Sequence, residues 1–474
     1  MKTQTQLDFD IAIIGTGPGG ESAATSLTGK GKRIAIIEKD SAVGGGSTHY
    51  GTIPSKALRH AVERMQEIES NPLFHHTSTE KHNTIQHIMN SAKRVMADLS
   101  NSKLKLYKAS NDIELFHGTA SFIDTNTLAI KNGDDVSQIT ANKIIIASGS
   151  HPYHPDDINF NHPRVYDSDS ILSLKEPPET IIIYGAGVIG SEYASIFAGA
   201  GSKIELINTR DRLLSFLDSE ISEALGYHMR EHNITIKNDE EYESINLNDN
   251  YVELNLRSGK TIKGDIILWA NGRSGNAADL NLEAAGLTTN NRLQIEVNSD
   301  FQTTQPHIYA IGDVIGWPAL ASAAFGQGCH IADHILNGKC EYDVHHNIPT
   351  GIYTIPEISC IGKTEEELTS EKIPYEVGKT HFKDLARTHI RNQKTGILKI
   401  LFHRESLQIL GIHSFGYQAS DIIHIGQAIM SQTGDANNLK YFINTTFNYP
   451  TMAEAYKIAA INGLNKIRTK NGTN

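Results

Sequence analysis

Short, almost unbroken apolar runs recur along the chain, and several end in glycine. The first is Phe9-Asp10-Ile11-Ala12-Ile13-Ile14. A strand with one wet face would alternate polar and apolar residues, so a run this uniform predicts a strand covered on both faces, as in a parallel sheet. Thr180 to Tyr184, Ile144 to Ile146, Ile266 to Ala270 and Pro306 to Ile311 repeat the pattern. Between them lie longer stretches with helical spacing: Lys56 to Ser70, residues 82 to 110, Ser191 to Gly199 and Ala419 to Gln432. Residues 113 to 147 read as short strands broken by Asn132-Gly133-Asp134, and beyond Asn347 the runs Gly396 to Phe402 and Gln408 to Ser414 read as strands. Strand, glycine turn and helix in alternation predict an α/β protein, with a separate α+β region at the C-terminus.

The glycine turns refine this prediction. Gly15-Thr16-Gly17-Pro18-Gly19-Gly20 stands between the first strand and an alanine-rich helical stretch. Gly15 permits the tight turn, Gly17 lets backbone approach a pyrophosphate, and Gly20 lets helix and strand pack closely, with the anion at the helix N-terminus. A second strand, Arg33 to Ile37, ends in Glu38, which follows Gly15 by 23 residues. A carboxylate there suits the ribose hydroxyls of an adenosine.

The unit then repeats as Gly185-Ala186-Gly187-Val188-Ile189-Gly190. Two complete units imply two dinucleotides and two doubly wound, Rossmann-like domains. At the register that holds Glu38 in the first unit, the second has Asn208, with Arg210 and Arg212 just beyond. Neutral Asn208 can bond a ribose hydroxyl without repelling a 2′-phosphate, and either arginine can pair with that phosphate. The pocket is therefore expected to admit both NAD(H) and NADP(H).

Length and composition narrow the class. At roughly 150 residues per domain, 474 residues should divide into about three. Net charge is -11, so no general basic field gathers nucleic acid or anionic lipid. No apolar run approaches the ~18 residues of a membrane span, and a cytoplasmic protein is expected. Cys329, Cys340 and Cys360 fit neither a CxxC pair nor a zinc site and read as structural thiols. His75-His76 and His345-His346 lack further ligands at suitable spacing, so no metal is expected.

Three further features carry candidate chemistry. Gly44, Gly45 and Gly46 can bring backbone close to a cofactor. Lys56, expected at a helix start where the helix dipole disfavours a cation, points to a partner elsewhere. Asp313, after a strand and a glycine, suits a polyol hydroxyl. Residues 151 to 178, rich in proline and polar turns, read as a connection.

These features, with the stretches GGGSTHYGTIPSKALRH, INTRDRLLSFLD, IPTGIYTIPEIS and TTFNYPTMAEAY, resemble the two-dinucleotide flavoprotein disulfide reductases over nearly the whole chain. The likeness is greatest to those members that exchange hydride between nicotinamide nucleotides. It implies FAD in a discontinuous domain of residues 1–150 and 273–346, a nicotinamide nucleotide in residues 151–272, and a dimerisation domain in residues 347–474. To the cofactor-binding set of Gly15, Gly17, Gly20, Glu38, Asp313, Gly185, Gly187, Gly190, Asn208 and Arg210 it adds Gly44, Gly45, Gly46, Ser47, Thr52, Ala147, Ala321 and Gly272. Lys56 and Glu192 become a catalytic pair holding positive charge near the flavin. The protein is then expected to form a homodimer or higher homo-oligomer.

Two departures from the reductases agree with one another. Ser47 and Thr52 occupy the positions of the redox cysteines, and Tyr449 takes the place of the histidine in a C-terminal His-Pro-Thr-x-x-Glu element that supplies the base for the thiols. Both losses suit an enzyme whose electrons do not leave through a dithiol, hence hydride exchange between NADPH and NAD by a ping-pong route through the flavin. A diaphorase or NAD(P)H oxidase, a flavin-bearing redox sensor or scaffold, and lastly a disulfide reductase remain the alternatives at this point.

Overall fold

The computed structural model describes residues 7–71, 81–176, 178–341 and 344–470, and the pair His75-His76 lies outside them. The first apolar run is the centre of a parallel sheet. Strand Phe9–Ile14 lies between Ile34–Glu38 and the end of Asp135–Ile146, with Ile113–His117 and Ile308–Ala310 as outer neighbours. Alternate side chains serve different layers: Ile11 and Ile13 pack toward the helices Pro18–Leu27 and Ala321–Asn337, while Ala12 and Ile14 pack toward Phe122, Leu128 and Leu280. Both faces are covered, which is why the run does not alternate.

Strand Asp135–Ile146 changes partners along its length, and its end also runs parallel to Ile308–Ala310. Its first half pairs antiparallel with Thr127–Asn132, which pairs with Thr119–Phe122; its second half runs parallel to Phe9–Ile14. The same α/β plan recurs in the second unit, where five parallel strands stand in the order Ile234–Lys237, Lys203–Ile207, Thr180–Tyr184, Ile266–Trp269, Val165–Asp167. An antiparallel sheet of Tyr242–Leu247, Val252–Leu256 and Thr261–Gly264 covers one side of it. The chain enters and leaves this unit side by side, because Ser150–Pro152 pairs with Arg273–Gly275. The expected boundaries at 150/151 and 272/273 fall on that two-stranded ladder.

The C-terminal region is an antiparallel sheet in the order Thr350–Ile352, Ile358–Gly362, Ile409–Gly416, Gly396–His403, Tyr375–His381, with helices Ala419–Met430 and Glu454–Lys470 packed on it. No helix among the described residues is long and apolar enough to cross a membrane.

One local expectation needs correction. The helix expected from Lys56 spans Thr52–Glu69 and begins four residues earlier, with Pro54 inside its first turn. Proline is tolerated there because the first-turn N–H groups have no intrahelical acceptor. Lys56 is thus in the second turn, and its placement is explained by its partner rather than by the dipole. Just before this helix, Gly44, at φ +124°, leads into a five-residue helix, Gly45–His49.

Candidate active site

The two glycine turns share one steric plan. Gly15 and Gly185 both stand at φ +105°, where a Cβ would come within 2.3 Å of the Ala147 carbonyl oxygen and 2.6 Å of that of Ala270, respectively. A Cβ on Gly20 would lie 2.0 Å from Gly15 O, and one on Gly190 would lie 1.8 Å from Gly185 O. Any side chain at these four positions would therefore break the turn or push the helix off it. On Gly17 and Gly187, by contrast, a Cβ would meet nothing within 4 Å. The middle glycine keeps its side open for something other than protein.

Around the first turn lies a cavity of about 780 Å³. Its wall includes Gly15, Gly17, Glu38, Gly45, Gly46, Ser47, Thr52, Lys56, Ala147, Glu192, Asp313 and Ala321. Gly20 and Gly44 stand behind the wall; the Gly44 N–H donates to Thr16 Oγ1 at 2.8 Å. The remaining expected residues, Gly185, Gly187, Gly190, Asn208, Arg210 and Gly272, lie instead along the C-terminal ends of the second parallel sheet. The structure thus sorts the expected set into two clusters, one per glycine turn.

Glu38 is only 4 % exposed, and its carboxylate is held by the Thr16 hydroxyl, by the Thr16 N–H at 3.2 Å and by the Asp40 N–H at 3.0 Å. A carboxylate fixed at a strand end is ready to accept hydrogen bonds from hydroxyls without further ordering. At the other end of the wall, Asp313 Oδ2 accepts from Ser150 Oγ at 2.8 Å, and the Arg273 guanidinium grips Ser150 and Asp169.

Lys56 and Glu192 meet across the two units. Lys56 Nζ stands 2.6 Å from Glu192 Oε2, and Glu192 Oε1 accepts the Tyr353 N–H at 2.8 Å. The Lys56 ammonium also lies 4.7 Å from the centre of the Tyr353 ring. Thr16, Arg273 and Tyr353 were not singled out from the sequence, because each acts through a neighbour distant in the chain. Thr16, lying inside the first glycine motif, alone had a local signal.

The second cluster is ordered by its own contacts. Asn208 Nδ2 donates to Asn238 Oδ1 at 2.9 Å, Arg210 Nη1 donates to Ser215 Oγ at 2.6 Å, and Arg212 Nη2 donates to the Ser215 carbonyl at 3.1 Å. Two guanidiniums therefore converge on one serine beside the strand end that carries Asn208.

The residues present fit FAD in the first cavity. A cavity of about 780 Å³ is within the size range of cofactor sites. It has an open glycine cradle at Gly17, a buried carboxylate for ribose, and a wall residue, Ser148, whose buried hydroxyl has no partner among the described residues. Ser47 and Thr52 face it without sulfur. Burial pushes the Cys360 thiol up to about 12. His345 stacks on Phe301 and bonds the Ser299 carbonyl at 2.9 Å. Among the described residues, Asp218, Glu220 and Glu365 come within ligand distance of one another. The Lys399 ammonium fills that space, 2.7 Å from Asp218 Oδ1 and 3.1 Å from Glu220 Oε2.

Comparison with known proteins agrees with this geometry. Residues 9–328 match the family described as pyridine nucleotide-disulphide oxidoreductase, and residues 348–460 match its dimerisation domain. The chain is 58% identical to a soluble pyridine nucleotide transhydrogenase of Aliivibrio fischeri over 97% of this chain and 98% of the relative. It is 55% identical to the Vibrio cholerae protein of the same name over the same shares. Among solved structures, the HOCl-induced flavoprotein disulfide reductase RclA of Escherichia coli superposes with a TM-score of 0.86 at 26% identity, covering 95% of this chain and 99% of that one. LpdA of Mycobacterium tuberculosis shares the fold, with a TM-score of 0.88 at 20% identity over 95% of this chain and 99% of its own.

Proposed function

The chain belongs to the pyridine nucleotide-disulphide oxidoreductase family, and from that membership we propose that it exchanges hydride reversibly between nicotinamide nucleotides, NADPH + NAD+ = NADP+ + NADH, with FAD as its cofactor. One observation carries the reading: the cavity keeps the Glu38 carboxylate and the Lys56–Glu192 pair while Ser47 and Thr52 leave it without a dithiol. When bound, FAD supplies two-electron acceptance and release, so that the two nucleotides can use one pocket in turn with ping-pong kinetics.

The chain's own residues supply binding and orientation. Glu38 takes the adenosine ribose, Gly15 and Gly17 admit the pyrophosphate, Gly20 lets the helix close on the turn behind them, and Asp313 takes a hydroxyl of the sugar chain. Gly45, Gly46, Ser47, Thr52, Ala147 and Ala321 complete that wall, with Gly44 behind it. Lys56, held by Glu192, presents a fixed positive charge to the reacting ring. In the second cluster Gly185, Gly187, Gly190 and Gly272 shape the pocket, Asn208 reads the ribose and Arg210 the 2′-phosphate. The assignment of FAD to residues 1–150 and 273–346, of the nicotinamide nucleotide to 151–272 and of dimer contacts to 347–474 follows from this reading. On this reading the protein works as a homodimer or larger homo-oligomer in the cytoplasm.

The test is an anaerobic assay of the purified, FAD-loaded protein with NADPH and a thionicotinamide analogue of NAD+. Sustained reduction of the analogue is expected. Bleaching of the flavin by NADPH with no transfer to the analogue would sink the proposal.

A further inference from the structure

The Lys56–Glu192 pair is gripped by a third element. Lys56 and Arg59 stand one turn apart on the helix Thr52–Glu69, and Glu192 and Ser195 stand one turn apart on Val188–Gly199. All four side chains engage the short C-terminal segment Tyr353–Ile355. Arg59 Nε donates to the Thr354 carbonyl at 2.9 Å, and the Ile355 N–H donates to Ser195 Oγ at 3.1 Å. The Tyr353 N–H donates to Glu192 Oε1 at 2.8 Å, and the Tyr353 ring lies 4.7 Å from Lys56 Nζ. Arg59 is further braced by Glu63 at 2.8 Å and Glu357 at 3.7 Å.

We propose that Tyr353 is a positioning residue for Lys56, its ring fixing the ammonium from below while the Tyr353–Ile355 backbone locks the two helices in register. This deepens the proposed function and rests on it for the role of Lys56. The physical case is an entropic one. A lysine side chain has four rotatable bonds, and a single carboxylate contact at a partly exposed site leaves it several rotamers. An aromatic face adds a second, direction-dependent attraction to the same charge. The amide N–H meanwhile fixes the other oxygen of the carboxylate, so neither partner can swing without losing a contact. Because the segment belongs to the region that matches the dimerisation domain, the charge at the cavity is set by all three parts of the chain.

The experiment compares FAD-loaded Tyr353→Leu and Tyr353→Phe with the parent protein. The backbone N–H survives in both; leucine removes ring and hydroxyl while phenylalanine removes only the hydroxyl, which meets Ser420, so the difference between the two variants reports the ring. Loss of the ring is expected to lower kcat about 10-fold with KM for both nucleotides unchanged within about twofold, and to shift the visible absorption bands of the bound flavin. The phenylalanine variant, which keeps the ring, should match the parent in both. Ser195→Ala, which frees the far end of the segment and leaves the ring, should shift the same bands by less, and it serves if the leucine variant does not hold FAD. A leucine variant with FAD bound, parental bands and parental kcat overturns the proposal, as does a phenylalanine variant as impaired as the leucine one. The spectrum is read without nucleotide, so it tests the clamp even if the parent shows no exchange.

Discussion

Lys56 Nζ and Glu192 Oε2 stand 2.6 Å apart although 136 residues separate them in the chain. The pair bridges the helix Thr52–Glu69 and the helix Val188–Gly199 that follows the second glycine turn, so the cation at the first cavity is held by the second unit. Its side chains are 25% and 6% exposed, and the carboxylate is the more enclosed partner. That asymmetry makes Glu192 the anchor and Lys56 the reaching group.

Removing the cation should therefore affect turnover more than binding. Lys56→Met and Glu192→Gln are each expected to reduce kcat for hydride exchange about 100-fold, with KM changed little and FAD retained. The glutamine keeps an oxygen for the Tyr353 N–H, so its loss of activity would be assigned to charge. Steady-state kinetics alongside the visible spectrum of each variant check this.

Discrimination between the nucleotides should reside at Arg210. Arg210→Met removes the guanidinium now bonded to Ser215 Oγ and is expected to raise KM for NADPH about 10-fold, leaving that for NADH within about twofold. Equal effects on both nucleotides, measured with one acceptor, would show that the arginine does not read the 2′-phosphate.

Lys399 ties the second unit to the C-terminal sheet. Its side chain is 1% exposed, Asp218 is 0% exposed, and Asp218 also caps the helix Ser219–Glu231 by accepting from the Glu220 N–H at 3.2 Å. The surrounding carboxylates hold the ammonium well above the usual lysine range. Lys399→Met strands a buried carboxylate and should cost about 3–5 kcal/mol, read as a clear drop in the thermal midpoint. A second change, Asp218→Asn, should recover part of the loss, because the amide can still cap the helix.

Two groups should make stability depend on pH in opposite senses. Burial raises Glu63 from its ordinary 4.5 to about 7, against the pull of Arg59. Its contribution is thus present below about pH 4.5 and lost as pH rises toward 7. Burial, with help from His232, lowers His228 from 6.5 to about 4, so its contribution is present above 6.5 and lost as pH falls toward 4. The windows overlap and the slopes offset each other. Thermal midpoints between pH 4.5 and 7 should fall with acid more steeply in Glu63→Gln than in the parent and less steeply in His228→Leu. A parallel course in all three would refute the assignment.

What could be read in advance follows the range of the physics involved. The strand Thr180–Tyr184 and the helix Ala419–Met430 were legible from periodicity, and the glycine turns from spacing, because backbone strain at Gly15 or Gly185 is a local matter. The start of the helix at Thr52 was hidden by Pro54, which reads as a breaker but sits where no N–H is needed. A lysine at the expected helix start points to an outside partner, yet nothing near Lys56 in the chain identifies Tyr353 as the ring beneath it.

By itself, then, the sequence determined the two strand–glycine–helix units, the carboxylate at one strand end and the asparagine at the other, and the loss of thiols at residues 47 and 52. These follow from the side chain's own shape and charge or from neighbours a few residues away. Tertiary structure decided which charges face each other: Lys56 with Glu192 and Tyr353, Lys399 with Asp218, Arg273 with Ser150 and Asp169. Electrostatic and packing contacts depend on distance in space. In a chain that leaves one sheet, builds another and returns, that distance is set only when the sheets are closed and the helices between them are packed.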